Sequence, residues 1–128
     1  MASAVEQQFQ WAVQALAQPA DVQIDLFPPF VVVADELALE FDSCREAFDS
    51  NFGWLWSPLQ RTAVVALDQY LADMSGPDKP ELWLDEGCLE HARWTEVRQL
   101  ARKVLSAFGW SPDFPPLDRG AIYVGPPD

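Results

Sequence analysis

Few side chains in this sequence are versatile enough to do chemistry. It has one histidine, His91, and two cysteines, Cys44 and Cys88, with Cys88 three positions before His91 in the stretch Cys-Leu-Glu-His. One helical turn apart, a thiol and an imidazole can act as two zinc ligands, or as a nucleophile with its base. A tetrahedral zinc site needs four ligands, or three and a water, so Cys44 and a carboxylate such as Glu90 would have to arrive from elsewhere in the fold. The plainer meaning is a helix start with a small buried thiol, and on that reading no metal, cofactor or catalytic residue is expected. Pairs such as Asp35 with Glu36, or Glu86 with Glu90, add little, because 20 of the 128 residues are acidic and such pairs arise by abundance. No dinucleotide fingerprint, phosphate loop, metalloprotease helix or nucleophile elbow occurs.

Two groups of residues are candidates for binding. The stretch Asn51 to Trp56, Asn-Phe-Gly-Trp-Leu-Trp, places Phe52, Trp54 and Trp56 within a few positions, and three rings are costly to leave in water. A loop folded over one end of the core accounts for them, and a surface with aromatic anchors at Trp54 and Trp56 is the alternative. Arg98 and Arg102 lie one helical turn apart, and with Arg93 and Lys103 they place four of the eight basic residues on one segment. Such a segment answers the chain's own carboxylates or a helix C-terminal dipole, or else forms an anion or acidic-partner site.

The elements that must position these groups follow from periodicity. Ser3 and Glu6 have capping-box spacing, and Val5, Phe9, Ala12, Val13 and Leu16 then share a face, which predicts a helix from Ala4 to Gln18. Val22 to Phe27 alternates apolar and polar residues, and Val31 to Val33 follows Pro28 and Pro29, so both segments read as short strands with Gln23 and Asp25 facing water. Glu36 to Phe48 fits a helix with Asp35 as cap better than it fits a strand. The strongest pattern is Ser57 to Gly76, with a cap residue, Pro58 at the first helical position and an apolar arc roughly 160° wide, which predicts a helix buried on two sides and the axis of the core. Leu82 to Leu84 reads as a short strand or buried connector, and Trp94 to Phe108 carries the face of a further helix, Ala92 to Phe108, ended by Gly109. The Pro-rich segment 109–128 disfavours helix; it reads as a tail wrapped on the body through Phe114, Leu117, Ile122 and Tyr123, with an edge strand at Gly120 to Val124. The fold class expected is therefore α+β: a single helix-dominated domain of about four helices with a small two- or three-stranded sheet.

Composition narrows the function. The net charge of -12 opposes nucleic-acid phosphates and anionic lipid surfaces and favours a basic protein partner, although adaptation to high salt gives the same charge. No stretch approaches the ~18 apolar residues of a membrane span, and the N-terminus lacks a basic, unbroken apolar leader. A cytoplasmic location with reduced thiols is expected. Six arginines to two lysines, with one asparagine and two isoleucines, point to a GC-rich bacterial source. The function expected is a non-enzymatic interaction or inhibitory protein, for instance of the immunity type, and a homodimer is compatible with the pattern. The alternative is a small-molecule binder or enzyme whose pocket, between sheet and helices, is lined by Trp54, Trp56, Trp83, Arg98 and Arg102.

Overall fold

The structure, a computed structural model, describes residues 3–76, 78–84 and 87–119. Five α-helices form it: α1 (Ala4–Ala17), α2 (Ala20–Asp25), α3 (Val33–Phe52), α4 (Pro58–Met74) and α5 (Ala92–Phe108). Single 3-10 turns lie at Gly53–Leu55, Pro80–Leu82 and Cys88–Glu90. Among the described residues there is no strand, so the expected α+β fold and its sheet are corrected to an all-helical one. The edge strand expected at Gly120 to Val124 lies outside the described residues.

Helix ends are set locally. The Ser3 Oγ accepts the Glu6 N–H at 3.0 Å at the start of α1. In α4 a complete capping box forms: the Gln60 N–H donates to Ser57 Oγ at 3.1 Å and the Ser57 N–H donates to Gln60 Oε1 at 2.8 Å. Pro58, with no N–H to leave unpaired, takes the first position. Gly109 closes α5 in a left-handed conformation, φ 73°. The third helix is longer than expected at both ends and begins at Val33, before the cap assigned to Asp35. No side chain caps it, and Asp35 and Glu36 instead place negative charge in its first turn.

The strand expected at Val22 to Phe27 is overturned by one side chain. Alternation puts Gln23 in water, yet it is 0 % exposed while Ile24 lies in solvent. The Gln23 Nε2 donates to the carbonyls of Ala15 and Leu16 at 3.1 Å each, so the segment coils into α2 against the end of α1. Those carbonyls lie in the last turn of α1, where helices leave acceptors without intrahelical donors. Val31 and Val32 become the connector into α3, and the Leu82 region becomes a 3-10 turn whose Leu82 carbonyl accepts the Trp94 Nε1–H at 2.7 Å.

Four of the helices pack as an up-and-down bundle. α1 lies against both α3 and α5, and α4 lies against α5. Gln18 meets Arg98 while Phe9 meets Phe108, so α1 and α5 are antiparallel. Arg93 reaches Asp73 while Gln60 reaches Ala107, so α5 and α4 are too. Across the remaining seam, Arg61 pairs with Asp49 at 3.1 Å and Arg45 with Asp68 at 3.5 Å, which joins α4 to α3. Gly53 permits the first of these pairs, because a Cβ there would meet Asp49 Oδ1 at 1.9 Å.

The axis of the core is thus α1 and not α4. The apolar arc of α4 suggests burial on two sides, but only Val64, Leu67, Leu71 and Met74 are buried, a single stripe facing the bundle. Phe9 of α1 occupies the centre of one end, its ring 5.4 Å from Phe48, 5.8 Å from Phe41 and 6.0 Å from Trp110. The described part of the tail is held by polar groups more than by its apolar side chains. Gln14 and Gln18 donate to the carbonyls of Ser111 and Pro112 at 2.8 and 3.0 Å, while Phe114 and Leu117 stay exposed. Arg119 is buried over the Phe27 ring and grips both carboxylate oxygens of Glu40 at 2.8 and 3.3 Å.

Leu67→Asp is expected to prevent folding, with a loss above ~4 kcal/mol from a buried unpaired charge and lost packing. Ala72→Gln, on the exposed side of the same helix, is expected to change stability by less than about 0.5 kcal/mol in a denaturant titration. Equal losses in the two variants would show that α4 is not buried along one stripe.

Candidate functional site

The five residues singled out from the sequence are separated by the fold. Arg98 is buried and has no carboxylate against it in its hydrogen-bonding shell. Its Nε donates to the Gln18 carbonyl at 3.0 Å, and its Nη2 donates to Gln23 Oε1 at 3.3 Å and to the Leu89 carbonyl. Nη1 reaches Thr95 Oγ1 at 3.4 Å. The charge therefore sits on the carbonyl end of α1, where the helix dipole is negative. Burial, and then the neighbouring Arg102, push the Arg98 pKa down, while Glu90 acts the other way. Every donor direction is committed to the fold, so Arg98 is a structural cation. Arg102 is exposed one turn further on. The two line a depression of about 360 Å³ with Pro19, Ala20, Glu90, Thr95 and Gln99, where the Glu90 carboxylate works against an anionic ligand.

The tryptophans divide in the same way. Trp56 lies in the aromatic end of the core, 5.3 Å from Phe48 and 5.7 Å edge-on to Phe108, with the Arg61 guanidinium 4.7 Å above its ring. Trp83 belongs to the other end of α4: its Nε1–H donates to the Met74 carbonyl at 3.0 Å and its ring meets Trp94 edge-on at 5.2 Å. The length of α4, about 25 Å, separates these two indoles. Trp54, two positions from Trp56, is 80 % exposed on the 3-10 turn, with Leu55 beside it also in solvent. No common pocket holds Trp54, Trp56, Trp83, Arg98 and Arg102.

The thiols and the imidazole are also apart in role. His91 is the N-cap of α5, its Nδ1 accepting the Arg93 N–H at 3.0 Å, so that nitrogen is unprotonated and faces the backbone. Cys44 lies in α3, where burial, and then the Glu40 carboxylate, push its thiol up to about 11, against a smaller opposing effect of Arg119. That is the wrong direction for a nucleophile. Among the described residues, no group of three or more His, Cys, Asp and Glu side chains gathers in a way that would hold a metal ion, and no helix is long and apolar enough to cross a membrane.

What the fold builds instead is a groove of about 540 Å³ between the α2–α3 connector and the 83–90 segment. Ile24, Val31, Val32, Val33 and Leu89 line it with Trp83, and Leu84 projects at its edge, 68 % exposed. Asp21 and Glu90 are its described charged lining residues, and no cation is among them. Of the five residues chosen from the sequence, only Trp83 belongs to this groove. Sequence reasoning missed the rest because Val22 to Val33 was read as strands, which would turn Ile24 and Val32 inward; their presence beside two prolines was the available signal.

Arg98→Met leaves the Gln18, Leu89 and Gln23 acceptors without their donor and is expected to cost about 3 kcal/mol, against less than about 0.5 kcal/mol for Arg102→Met. Calorimetry on the two variants separates a structural Arg98 from a ligand-binding pair. Cys44, with about 0.1 % thiolate at pH 8, is expected to resist iodoacetamide in the folded protein and to react in guanidinium, as read by peptide mass mapping. Comparison with protein-family models, with curated proteins and with solved structures finds no match to this chain.

Proposed function

We propose that this chain acts by binding another protein, as an adaptor or inhibitor, and that the groove beside Trp83 receives an apolar segment flanked by basic residues. The observation that carries this reading is the groove itself: an apolar floor with exposed Ile24, Val32 and Leu84, and carboxylates at Asp21 and Glu90 as its charged lining. Exposed apolar side chains around a concavity are the usual mark of a contact surface, and acidic groups at the rim select and steer a basic partner. The net charge of -12 extends that steering beyond the groove. Trp54 supplies a second, separate anchor of the type enriched at such surfaces, whereas Trp56 serves the core. A chain working this way needs no nucleophile, which suits a molecule whose Cys44 is poorly ionised and whose His91 caps a helix.

A second reading is favoured by volume: about 540 Å³ lies within the range of small-molecule sites, and an apolar ligand would fit the same floor. The carboxylates distinguish the two, since a neutral ligand gains nothing from them.

A labelled Leu- and Lys-rich peptide is expected to bind, and its Leu- and Glu-rich counterpart is not, by fluorescence anisotropy. Raising salt should slow association and leave dissociation nearly unchanged. Leu84→Ser should weaken binding by about tenfold, equivalent to about 1.4 kcal/mol, at unchanged melting temperature. Equal binding of both peptides, or full affinity in Leu84→Ser, would remove the groove from the function.

A further inference from the structure

The second apolar surface lies on the opposite part of the bundle, along the seam between α4 and α5. Leu59, Thr62, Ala63 and Ala66 of α4 face Leu100, Lys103, Ser106 and Ala107 of α5 across a depression of about 420 Å³. Leu59 stands 68 % exposed at its edge, and Val65 is exposed nearby on α4. This is the second side of the wide apolar arc that the α4 sequence carries and that the bundle leaves uncovered. Small side chains at Ala63, Ala66, Ser106 and Ala107 keep the seam shallow enough for another helix to approach closely.

Charge says what covers it. The helices α4 and α5 together hold five basic residues, Arg61, Arg93, Arg98, Arg102 and Lys103, against three acidic ones, Asp68, Asp73 and Glu96. The rest of the chain holds 17 acidic residues against three basic, Arg45, Lys79 and Arg119. Two copies of a molecule with charge -12 repel each other through most relative orientations. Placing α4 and α5 of one copy on α4 and α5 of the other brings together the two faces closest to neutral and keeps the acidic remainders apart. A two-fold arrangement of this kind uses one patch twice, so Leu59 of each copy can enter the seam of the other.

We infer that the α4–α5 face is the self-association surface of this protein, and that its occupant is the same face of a second copy. The groove beside Trp83 lies at the connector between α2 and α3 and at the 83–90 segment, so it stays open in such a dimer. Partner binding and self-association therefore fail or succeed independently.

The test is sedimentation equilibrium of the full chain at submillimolar concentration, with circular dichroism as a control of folding. The wild type is expected to reach twice the 14.4 kDa of one chain and to dimerise more tightly as salt screens the net repulsion. Ala66→Glu, an exposed helix position, is expected to weaken the dimer more than about tenfold while the helical signal of the monomer is kept. Leu39→Glu, an exposed apolar position on α3 away from the seam, should leave the dimer intact. A wild type that stays monomeric, an Ala66→Glu variant that dimerises as the parent does, or a mass that climbs past the dimer into open head-to-tail chains would each overturn the inference.

Discussion

The rest of the structure depends on a cation buried without a counter-ion. Arg98 enters the core from α5 and is satisfied by carbonyl oxygens: Gln18 at the end of α1, Leu89 in the turn before α5, and Gln23 Oε1 from α2. Gln23 in turn closes the carbonyls of Ala15 and Leu16. One guanidinium and one amide thus terminate α1, fold α2 back on it and fix α5 alongside. Removing either partner strands buried acceptors, which costs more than an ordinary hydrogen bond contributes. Using carbonyls in place of a carboxylate also leaves the acidic side chains free for the surface.

That arrangement has a consequence for charge. The few cations of the chain are spent mostly inside or across seams: Arg98 in the core, Arg119 on Glu40, Arg93 on Asp73, and Arg61 and Arg45 on Asp49 and Asp68. The acidic excess is left to the outside. Around the groove beside Trp83 this excess serves recognition of a basic segment, and along α4 and α5 its absence marks the surface on which two copies can meet. The same shortage of cations that sets the interior also divides the exterior into two kinds of face.

Aromatic residues follow a similar division between core and surface. Phe9, Phe48, Trp56, Phe108 and Trp110 close one end of the bundle with ring centroids mostly between 5 and 6.5 Å apart, and Phe108 and Trp110 stack at 4.4 Å. Trp54 and Leu55 stay outside because the turn Gly53–Leu55 must lie under the Arg61–Asp49 pair, which points its middle residues away from the core. Position along the chain alone does not separate Trp54 from Trp56; the turn geometry does.

By itself the sequence determined the parts whose physics is local. Caps at Ser3, at Ser57 with Pro58 and at Gly109 locate helix ends, because their hydrogen bonds span three or four residues, and the apolar periodicities of α1, α3 and α5 locate their buried faces. Tertiary structure decided everything that rests on distant partners. The Gln23 side chain is buried because Arg98, 75 positions away, and the end of α1 supply its bonds, so an alternating segment became helix and the expected sheet did not form. The central role passed from α4 to α1 for a related reason: an apolar arc shows how much surface a helix offers, while only packing shows how much of it is taken. Trp54, Trp56, Trp83, Arg98 and Arg102 could be chosen by type from the sequence, but whether they converge depends on where α4 and α5 run, and their antiparallel pairing carries them apart.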